Sequence, residues 1–222
     1  MKQLADDLYM LGGFPPHVIN VYLMGDVLLD AGTRHATSRI ERQLRGHNVT
    51  AHALTHAHPD HQGSSHQVCE MLGIPLWCGS GDADAVENPA LILERLPKFW
   101  LNSLIATRWL GPAHPVSRTL HEGNEAGGFT VLETPGHSAG HVAYWRESDR
   151  VLILGDVLRN MSLLTGLPSL GEPPSVFTPN PAQNRQSARK LAALEPNLVC
   201  FGHGPPLRDT KKFVKFVSSL PD

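Results

Sequence analysis

The feature that most constrains this chain is a run of seven residues that concentrates potential metal ligands. Residues 55–61 read Thr-His-Ala-His-Pro-Asp-His, which places three imidazoles and one carboxylate within six residues. Some clustering is expected in a chain with 13 histidines, but four candidate ligands at such short spacing are rarely accidental. Neutral imidazole and carboxylate are ligands that zinc prefers, and they also suit iron and manganese. The stretch therefore predicts a metal site.

The local geometry of this stretch favours two ions rather than one. It follows a short apolar run, residues 49–54, that is typical of a buried strand. Residues two apart in an extended chain point the same way, so His56 and His58 can face one point in space. The proline that follows should end the strand, and Asp60 and His61 then leave on a new path towards a second point nearby.

Three later elements also end in a glycine that precedes a candidate ligand: Gly136-His137, Gly155-Asp156 and Gly202-His203. Glycine beside a ligand allows a sharp turn and a close approach of the backbone to a metal. The seven ligands then form a three-histidine set with a fourth position open for water, a second mixed set and one bridging carboxylate: His56, His58 and His137; Asp60, His61 and His203; and Asp156. Two divalent ions about 4 Å apart can share one hydroxide, because they lower the pKa of water from 15.7 to about 7. That arrangement would supply a nucleophile at neutral pH without an activated serine or cysteine.

In this order, the motifs resemble those of the metallo-β-lactamase superfamily of dinuclear metallohydrolases. The resemblance rests on His56-x-His58-x-Asp60-His61, Thr134-Pro135-Gly136-His137, Gly155-Asp156 and Gly202-His203, and it extends from about residue 20 to about residue 206. It implies an α/β fold, a four-layer αβ/βα sandwich of two mixed sheets with helices on both outer faces and the metals at one edge. It also implies the same seven ligands, with Asp60 and Asp156 as the catalytic carboxylates. Because Asp156 matches the bridging aspartate of the family, the chain is more similar to the glyoxalase II and lactonase branches than to true β-lactamases.

The resemblance implies a hydrolase in which a metal-bridging hydroxide attacks the carbonyl of an ester, thioester or lactone. In that reaction one metal polarises the carbonyl, and Asp60 relays a proton to the leaving group. The expected cofactor is a pair of divalent ions, zinc first, with iron and manganese as alternatives. Three other functions stay open: phosphodiester or phosphotriester hydrolysis, an iron-dependent sulfur dioxygenase reaction, and metal binding without turnover.

Substrate contacts are where the chain departs from the two branches that it resembles. Only 19 residues follow His203, so the C-terminal basic clamp with which glyoxalase II-like enzymes hold glutathione is not expected. Lactonases carry a tyrosine three residues after the bridging aspartate, whereas this chain has Arg159 there. Arg159 is a candidate substrate contact, because a guanidinium binds carboxylate or phosphate through two hydrogen bonds. A solvated loop residue is the alternative.

The two halves of the chain share a weak pattern of hairpin, aspartate, helix, strand and histidine. The pattern ends at His56 in the first half and at His203 in the second, and it predicts two similar halves that face one another. Coincidence among short strands is the alternative. On the first interpretation, Asp30 lies below the metals and hydrogen-bonds a ligand histidine. His141 is a separate candidate for orienting a ligand, and a polar residue at a strand end is the equal alternative.

Composition fits one globular domain spanning residues 1–222, with 41% hydrophobic and 18% charged residues and a helical insertion at about 80–120 that caps the site or only packs on it. The net charge of −2 and the dispersed basic residues argue against a nucleic-acid partner. No signal peptide or membrane span is expected.

Cys69, Cys78 and Cys200 lack disulfide or zinc-ribbon spacing, so they are interpreted as buried thiols of a reducing, cytoplasmic compartment. The expected partner is a small-molecule substrate, and a homo-oligomer is left open.

Overall fold

The computed structural model describes residues 1–221, in which short strands alternate with helices along most of the chain. The strands are β1 (Lys2–Ala5), β2 (Leu8–Met10), β3 (Tyr22–Met24), β4 (Val27–Leu29), β5 (Ala51–Ala53), β6 (Leu76–Gly79), β7 (Val116–Leu120), β8 (Glu125–Ala126), β9 (Phe129–Glu133), β10 (Val142–Arg146), β11 (Val151–Ile153), β12 (Arg159–Asn160), β13 (Leu170–Gly171) and β14 (Leu198–Cys200). The helices are α1 (Thr37–Leu44), α2 (Pro59–Gln62), α3 (Ser65–Leu72), α4 (Ala83–Glu87), α5 (Ala90–Arg95), α6 (Trp100–Trp109), α7 (Pro181–Ala192) and α8 (Thr210–Ser218).

The strands form two mixed sheets and one small hairpin. In the first sheet, β1 to β7 lie side by side in chain order, antiparallel from β1 to β4 and parallel from β4 to β7. In the second, the order is β14-β11-β10-β9-β8, and only β14 and β11 are parallel. Each parallel neighbour requires a crossover, and helices supply most of these connections. The hairpin pairs β12 with β13.

The two sheets pack face to face and enclose the central core. Val27 and Leu29 point into this core from β4, whereas Leu28 between them points to the outer face of the sheet. Strand β11 alternates in the same way. This period of two follows from the pleat of a strand, and each fully buried aliphatic side chain stabilises the fold by roughly 1.5–3 kcal/mol.

Helices cover both outer faces. Ile40 of α1 and Val68 of α3 pack on the first sheet, and Leu191 of α7 and Phe213 of α8 pack on the second. The layers are therefore helix, sheet, sheet and helix, and the predicted four-layer sandwich is confirmed.

The two halves share a connection pattern. Strands β3 and β4 form an antiparallel hairpin, and β5 then pairs with β4 in parallel. Strands β10 and β11 form a second hairpin, and β14 pairs with β11 in parallel. Because the carboxyl ends of parallel strands meet at the same edge of a sheet, each half delivers loop residues to one edge of the sandwich.

Two features differ from the sequence prediction. The buried strand expected over 49–54 is confined to Ala51–Ala53, so the ligand stretch begins beyond the ladder. Residues 116–120, predicted inside the helical insertion, form β7 at the edge of the first sheet, and the helical segment ends at Trp109. Residues 117–119 of β7 are all polar and exposed, so this edge strand lacks the alternation of apolar and polar residues by which a strand is predicted.

The three cysteines are free and buried, as predicted. Burial raises the pKa of Cys69 and of Cys200 to about 12, so both thiols stay protonated at neutral pH. None of the helices within residues 1–221 has the length and apolar character that a membrane crossing requires.

His52 predicts an acid-dependent loss of stability that is separate from the metal ligands. Its ring is fully buried on β5 and forms hydrogen bonds with the Leu28 carbonyl (Nδ1, 3.1 Å) and the Ser65 hydroxyl (Nε2, 2.8 Å). Burial lowers the pKa of His52 from 6.5 to about 4. The unfolded chain therefore binds more protons than the folded protein between these pH values. The contribution of the neutral His52 ring to the free energy of unfolding is complete above about pH 6.5 and is lost as the pH falls towards 4.

We expect the metal-free wild type to lose about 2 kcal/mol more unfolding free energy than His52→Gln between about pH 7.5 and pH 5, measured by urea titration. His47→Gln is the control, because His47 is exposed, and its loss should equal that of the wild type. Equal losses in the wild type and His52→Gln would contradict this account.

Candidate metal centre

The candidate ligands come from four chain segments at one edge of the sandwich. His56 and His58 follow β5, and His58 is extended (φ −97°, ψ 156°) at the start of α2. Pro59 is the first residue of α2, a position where its missing N–H and fixed φ are tolerated. The predicted change of path is thus a short helix, which carries Asp60 and His61 away from the extended segment. His137, Asp156 and His203 follow β9, β11 and β14.

All seven predicted ligands meet in one place. Three groups each bring their ligand atoms within 4.8 Å of one another: His56, His58 and His137; His56, His61 and Asp156; and Asp60, His61 and His203. The first and third groups are the two sets predicted from the sequence. The second group joins them, because it shares His56 with one set and His61 with the other.

The Asp156 carboxylate lies between the two sets. Its Oδ2 atom is 3.5 Å from Nε2 of His137 and 3.0 Å from Nε2 of His203. Its Oδ1 atom is 3.6 Å from Nε2 of His61. Oδ2 thus lies near a ring of each set and Oδ1 near a second ring of the second set, so the carboxylate is placed to bridge two cations.

Four of the five rings are fixed through Nδ1 by an oxygen of the protein. The pairs are His56 with Thr55 Oγ1 (3.0 Å), His61 with Asp30 Oδ2 (2.8 Å), His137 with Thr178 Oγ1 (3.0 Å) and His203 with the Val18 carbonyl oxygen. A ring that donates from Nδ1 keeps its lone pair on Nε2, and this hydrogen bond orients the ring as well. The pattern is typical of metal-binding histidines.

The centre fits a metal because several of its buried polar atoms lack another partner. Among residues 1–221, Nε2 of His56, His61 and His137 and Oδ1 of Asp156 are buried without a hydrogen bond. A buried polar atom left without a partner costs about 1–3 kcal/mol. Divalent cations satisfy such a group of convergent lone pairs.

Protonation differs between the two sets. Burial and neighbouring rings lower the pKa of His56 and of His137 well below the usual value, so both are neutral. Burial also opposes a charge on His203, but Asp156 and Asp60 outweigh it and raise the pKa of His203 to about 10. The pKa of His61 is raised for the same reason, by Asp156, Asp30 and Asp60 against burial. Metal binding at the second set therefore displaces protons.

Asp30 orients a ligand, as predicted. Its carboxylate is buried, accepts the His61 Nδ1 hydrogen bond and also accepts from the Thr55 N–H (2.8 Å) and hydroxyl (2.9 Å). His141 is confirmed in a similar role, because its Nε2 accepts from the Asp156 N–H (3.1 Å) while Nδ1 bonds the Thr134 hydroxyl (2.8 Å).

Asp82 is a residue of the centre that sequence reasoning missed. It is buried and accepts hydrogen bonds from the Ala57 N–H (3.0 Å), the Ser138 hydroxyl (2.6 Å) and the Gly140 N–H (2.8 Å). It thereby joins the loop after β5 to the loop after β9. A signal was present, because Asp82 follows a glycine after a parallel strand, as Asp156 does. Thr178, in contrast, lies in a loop without any recognisable motif.

Glycine at position 202 is required for space. A Cβ atom there would lie 2.0 Å from Oδ1 of Asp156 and 2.8 Å from Cε1 of His61. Any side chain would therefore displace two ligands.

A cavity of about 290 Å³ opens beside the centre. It reaches the ligands His58, Asp60, His137, Asp156 and His203, and most of its remaining wall is apolar: Val18, Ile19, Pro59, Leu96, Leu101, Ile105, Trp109, Met161, Leu163, Pro173, Pro174 and Phe177, with Asn102 and Arg159. Leu101, Ile105 and Trp109 are four residues apart, so one face of α6 lines the cavity. The helical segment therefore caps the site as well as packing on it.

Arg159 lies in the cavity wall, where part of its guanidinium is already engaged. Its Nε donates to the Glu172 carbonyl (3.1 Å) and its Nη1 donates to the Met161 carbonyl. These bonds hold the β12–β13 hairpin. Burial lowers the pKa of Arg159. No carboxylate within residues 1–221 forms an ion pair with it that would oppose this shift.

Comparisons with known proteins agree with this geometry. The family model described as "Metallo-beta-lactamase superfamily" matches residues 14–203. "Probable metallo-hydrolase YflN" of Bacillus subtilis (strain 168) is 28% identical over 221 residues, covering 88% of this chain and 84% of the relative. "Hydroxyacylglutathione hydrolase GloC" of Haemophilus influenzae is 28% identical over 114 residues, half of each chain. The solved structure of TTHA1623 in a di-iron-bound form is 28% identical, with a TM-score of 0.62 over 90% of this chain and 88% of that one.

The Asp30–His61 bond predicts that Asp30→Asn weakens metal binding at the second set. An asparagine amide would donate to Nδ1 of His61 and move the ring proton to Nε2, where it blocks coordination. We expect about 10–100-fold weaker binding of the metal at Asp60, His61 and His203, measured by zinc titration with a chromophoric chelator.

Asp26→Asn is the matched control, because Asp26 lies in the same hairpin but is exposed, and among the described residues its carboxylate accepts a hydrogen bond only from the Thr50 hydroxyl (2.5 Å). Its affinities should match those of the wild type. Unchanged affinity in Asp30→Asn would show that this bond does not set the tautomer of His61.

Proposed function

This chain belongs to the metallo-β-lactamase superfamily, and from that premise we propose that it is a dinuclear metal-dependent hydrolase that cleaves an ester, thioester or lactone bond. The observation that carries the proposal is the convergence of His56, His61, His137 and His203 through Nε2, each fixed from behind through Nδ1, with Asp156 between the two sets. The family and the names of its relatives support a metallo-hydrolase.

The proposed cofactor is a pair of zinc ions. His56, His58 and His137 would hold one ion, Asp60, His61 and His203 the other, and Asp156 both. When bound, two such ions lower the pKa of a water molecule and polarise a carbonyl group. Iron is the competing choice, since the related TTHA1623 holds two irons, and manganese accepts the same ligand types.

The chain's own residues have distinct roles in this proposal. The rings of the first set are neutral before metal binding and present lone pairs without losing a proton. Asp156 holds the two sets in one arrangement. Asp60 is a ligand carboxylate at the floor of the cavity, with 17% of its side chain exposed. It would accept the proton that the attacking water loses and pass it to the leaving group.

The cavity wall supports a carbonyl substrate with an apolar group rather than a phosphodiester. Leu101, Ile105 and Phe177 offer contacts to a hydrocarbon chain and none to phosphate oxygens. Arg159 remains a proposed substrate contact through Nη2, since Nε and Nη1 are engaged with carbonyl oxygens. A substrate oxygen there would compensate the partly desolvated charge.

The free, buried thiols support a reducing compartment, and we propose the cytoplasm. A small molecule is the proposed substrate, and a homo-oligomer is compatible with the proposal.

Metal-loaded protein should hydrolyse p-nitrophenyl esters and leave bis-p-nitrophenyl phosphate almost untouched. His58→Ala and Asp156→Asn should lower kcat/KM for the esters by about a thousandfold or more, because each removes a ligand of the centre. Circular dichroism should show an unchanged fold in both variants. Full activity in either variant, or faster cleavage of the phosphodiester, would overturn the proposal. Oxygen uptake with a persulfide would indicate a dioxygenase instead.

The apolar wall predicts a dependence on acyl chain length. Each added methylene that becomes buried should raise kcat/KM by about fourfold, from about 0.8 kcal/mol of burial, along p-nitrophenyl acetate, butanoate and hexanoate. Ile105→Ala should reduce this gain, because it removes part of the wall. Leu104→Ala is the control on the same helix, since Leu104 is 39% exposed and does not line the cavity. Equal effects of the two substitutions would show that the acyl group binds elsewhere.

A further inference from the structure

A second group of metal-binding side chains lies on the surface, away from the hydrolytic centre. The ligand atoms of His66, Glu70 and His114 lie within 4.8 Å of one another. His66 and Glu70 are four residues apart on α3 and so project from the same face of the helix. His114 reaches them from the segment that joins α6 to β7. We propose that these three side chains form a zinc site distinct from the hydrolytic centre.

The contact between the two rings matches the geometry of a shared ion. Nδ1 of His66 is 3.2 Å from Nδ1 of His114, and the rings are inclined by 71°. Two imidazole nitrogens bound to one tetrahedral zinc at about 2.0–2.1 Å lie about 3.3 Å apart. A direct hydrogen bond would use only the two rings, whereas a zinc ion also engages the carboxylate of Glu70 beside them.

The protonation of His114 favours metal binding. Burial, and then the neighbouring His66, lowers the pKa of His114. A neutral ring offers its lone pair without first losing a proton. Glu70 is exposed and supplies the negative charge that compensates the cation.

Two imidazoles and one carboxylate leave a fourth tetrahedral position open to water, a donor set that zinc accepts. The His66 and His114 side chains are half-buried and Glu70 is exposed, so binding must order Glu70. The zinc in this site therefore exchanges more readily than metals held by the buried ligands of the hydrolytic centre.

The position of the site gives it a structural role. It connects α3 to the segment just after α6, the helix that lines the cavity. Gly63, between α2 and α3, packs directly on the end of α6, because a Cβ atom there would lie 2.4 Å from the Trp109 carbonyl oxygen. Zinc at the surface site ties this wall of the cavity to the helix pair that carries Asp60 and His61.

The test is a zinc titration of protein that retains the metals of its hydrolytic centre, followed by calorimetry and thermal unfolding. We expect the wild type to bind one further equivalent of zinc, and its Tm to rise by about 5–10 °C at roughly a hundredfold excess over the dissociation constant. His114→Gln should lose the further equivalent and the rise in Tm. His121→Gln, an exposed histidine at the end of β7, should keep both.

Ester hydrolysis and metal content, measured on the same samples before zinc is added, separate this inference from the proposed function. His114→Gln should match the wild type in both, because His114 contacts neither the centre nor the cavity. No hydrolysis by the wild type would contradict only the proposed function. The surface site would be overturned if the wild type bound no further zinc, or if His114→Gln bound it equally well.

Discussion

The centre depends on the hydrogen bonds that its histidine ligands donate through Nδ1 to protein oxygens, such as the bond from His61 to Asp30. A buried imidazole binds a metal only if its proton stays on the far nitrogen, and in four of the five ligand rings that proton is held by an oxygen behind the ring. The oxygens come from a carboxylate, two hydroxyls and a backbone carbonyl. They lie on segments far apart in the chain, so the correct tautomers exist only when the whole edge of the sandwich has assembled.

Both halves of the chain contribute to this edge through the same connection pattern. An antiparallel hairpin followed by a parallel strand ends near Asp30 and His56 in one half, and near Asp156 and His203 in the other. The two aspartates occupy corresponding positions but act differently. Asp30 lies behind a ligand, whereas Asp156 lies among the ligands. Asp82 then joins the loops after β5 and β9 across the sheets, which fixes His56 and His58 relative to His137.

Much of the centre could be predicted from the sequence because its ligands sit in short motifs, each after a strand. The i, i+2 spacing of His56 and His58, and the glycine before His203, encode local geometry directly. Of the oxygens behind the rings, that of Asp30 was predicted, whereas Thr178 and the Val18 carbonyl could not be, because they become partners only through tertiary packing. Strand β7 was not predicted for a related reason. Its central residues are polar, and its position at the edge of the sheet is set by pairing with β6. Whether Arg159 contacts a substrate stays a prediction, since a side chain can both hold a hairpin and face a cavity.

The wall of the cavity and its floor come from different parts of the chain. Apart from the metal ligands at its floor, the wall comes largely from α6 and from residues 161–177, which carry no proposed ligand. Asn102 is the residue that links the two, because its side chain donates to the carbonyls of Pro97 (2.7 Å) and Val176 (2.8 Å). Substitutions on either segment can therefore change the shape of the cavity without replacing a proposed metal ligand. A substitution of this buried amide would remove the hydrogen bonds to both segments at once, so Asn102 couples the shapes of the two sides of the cavity.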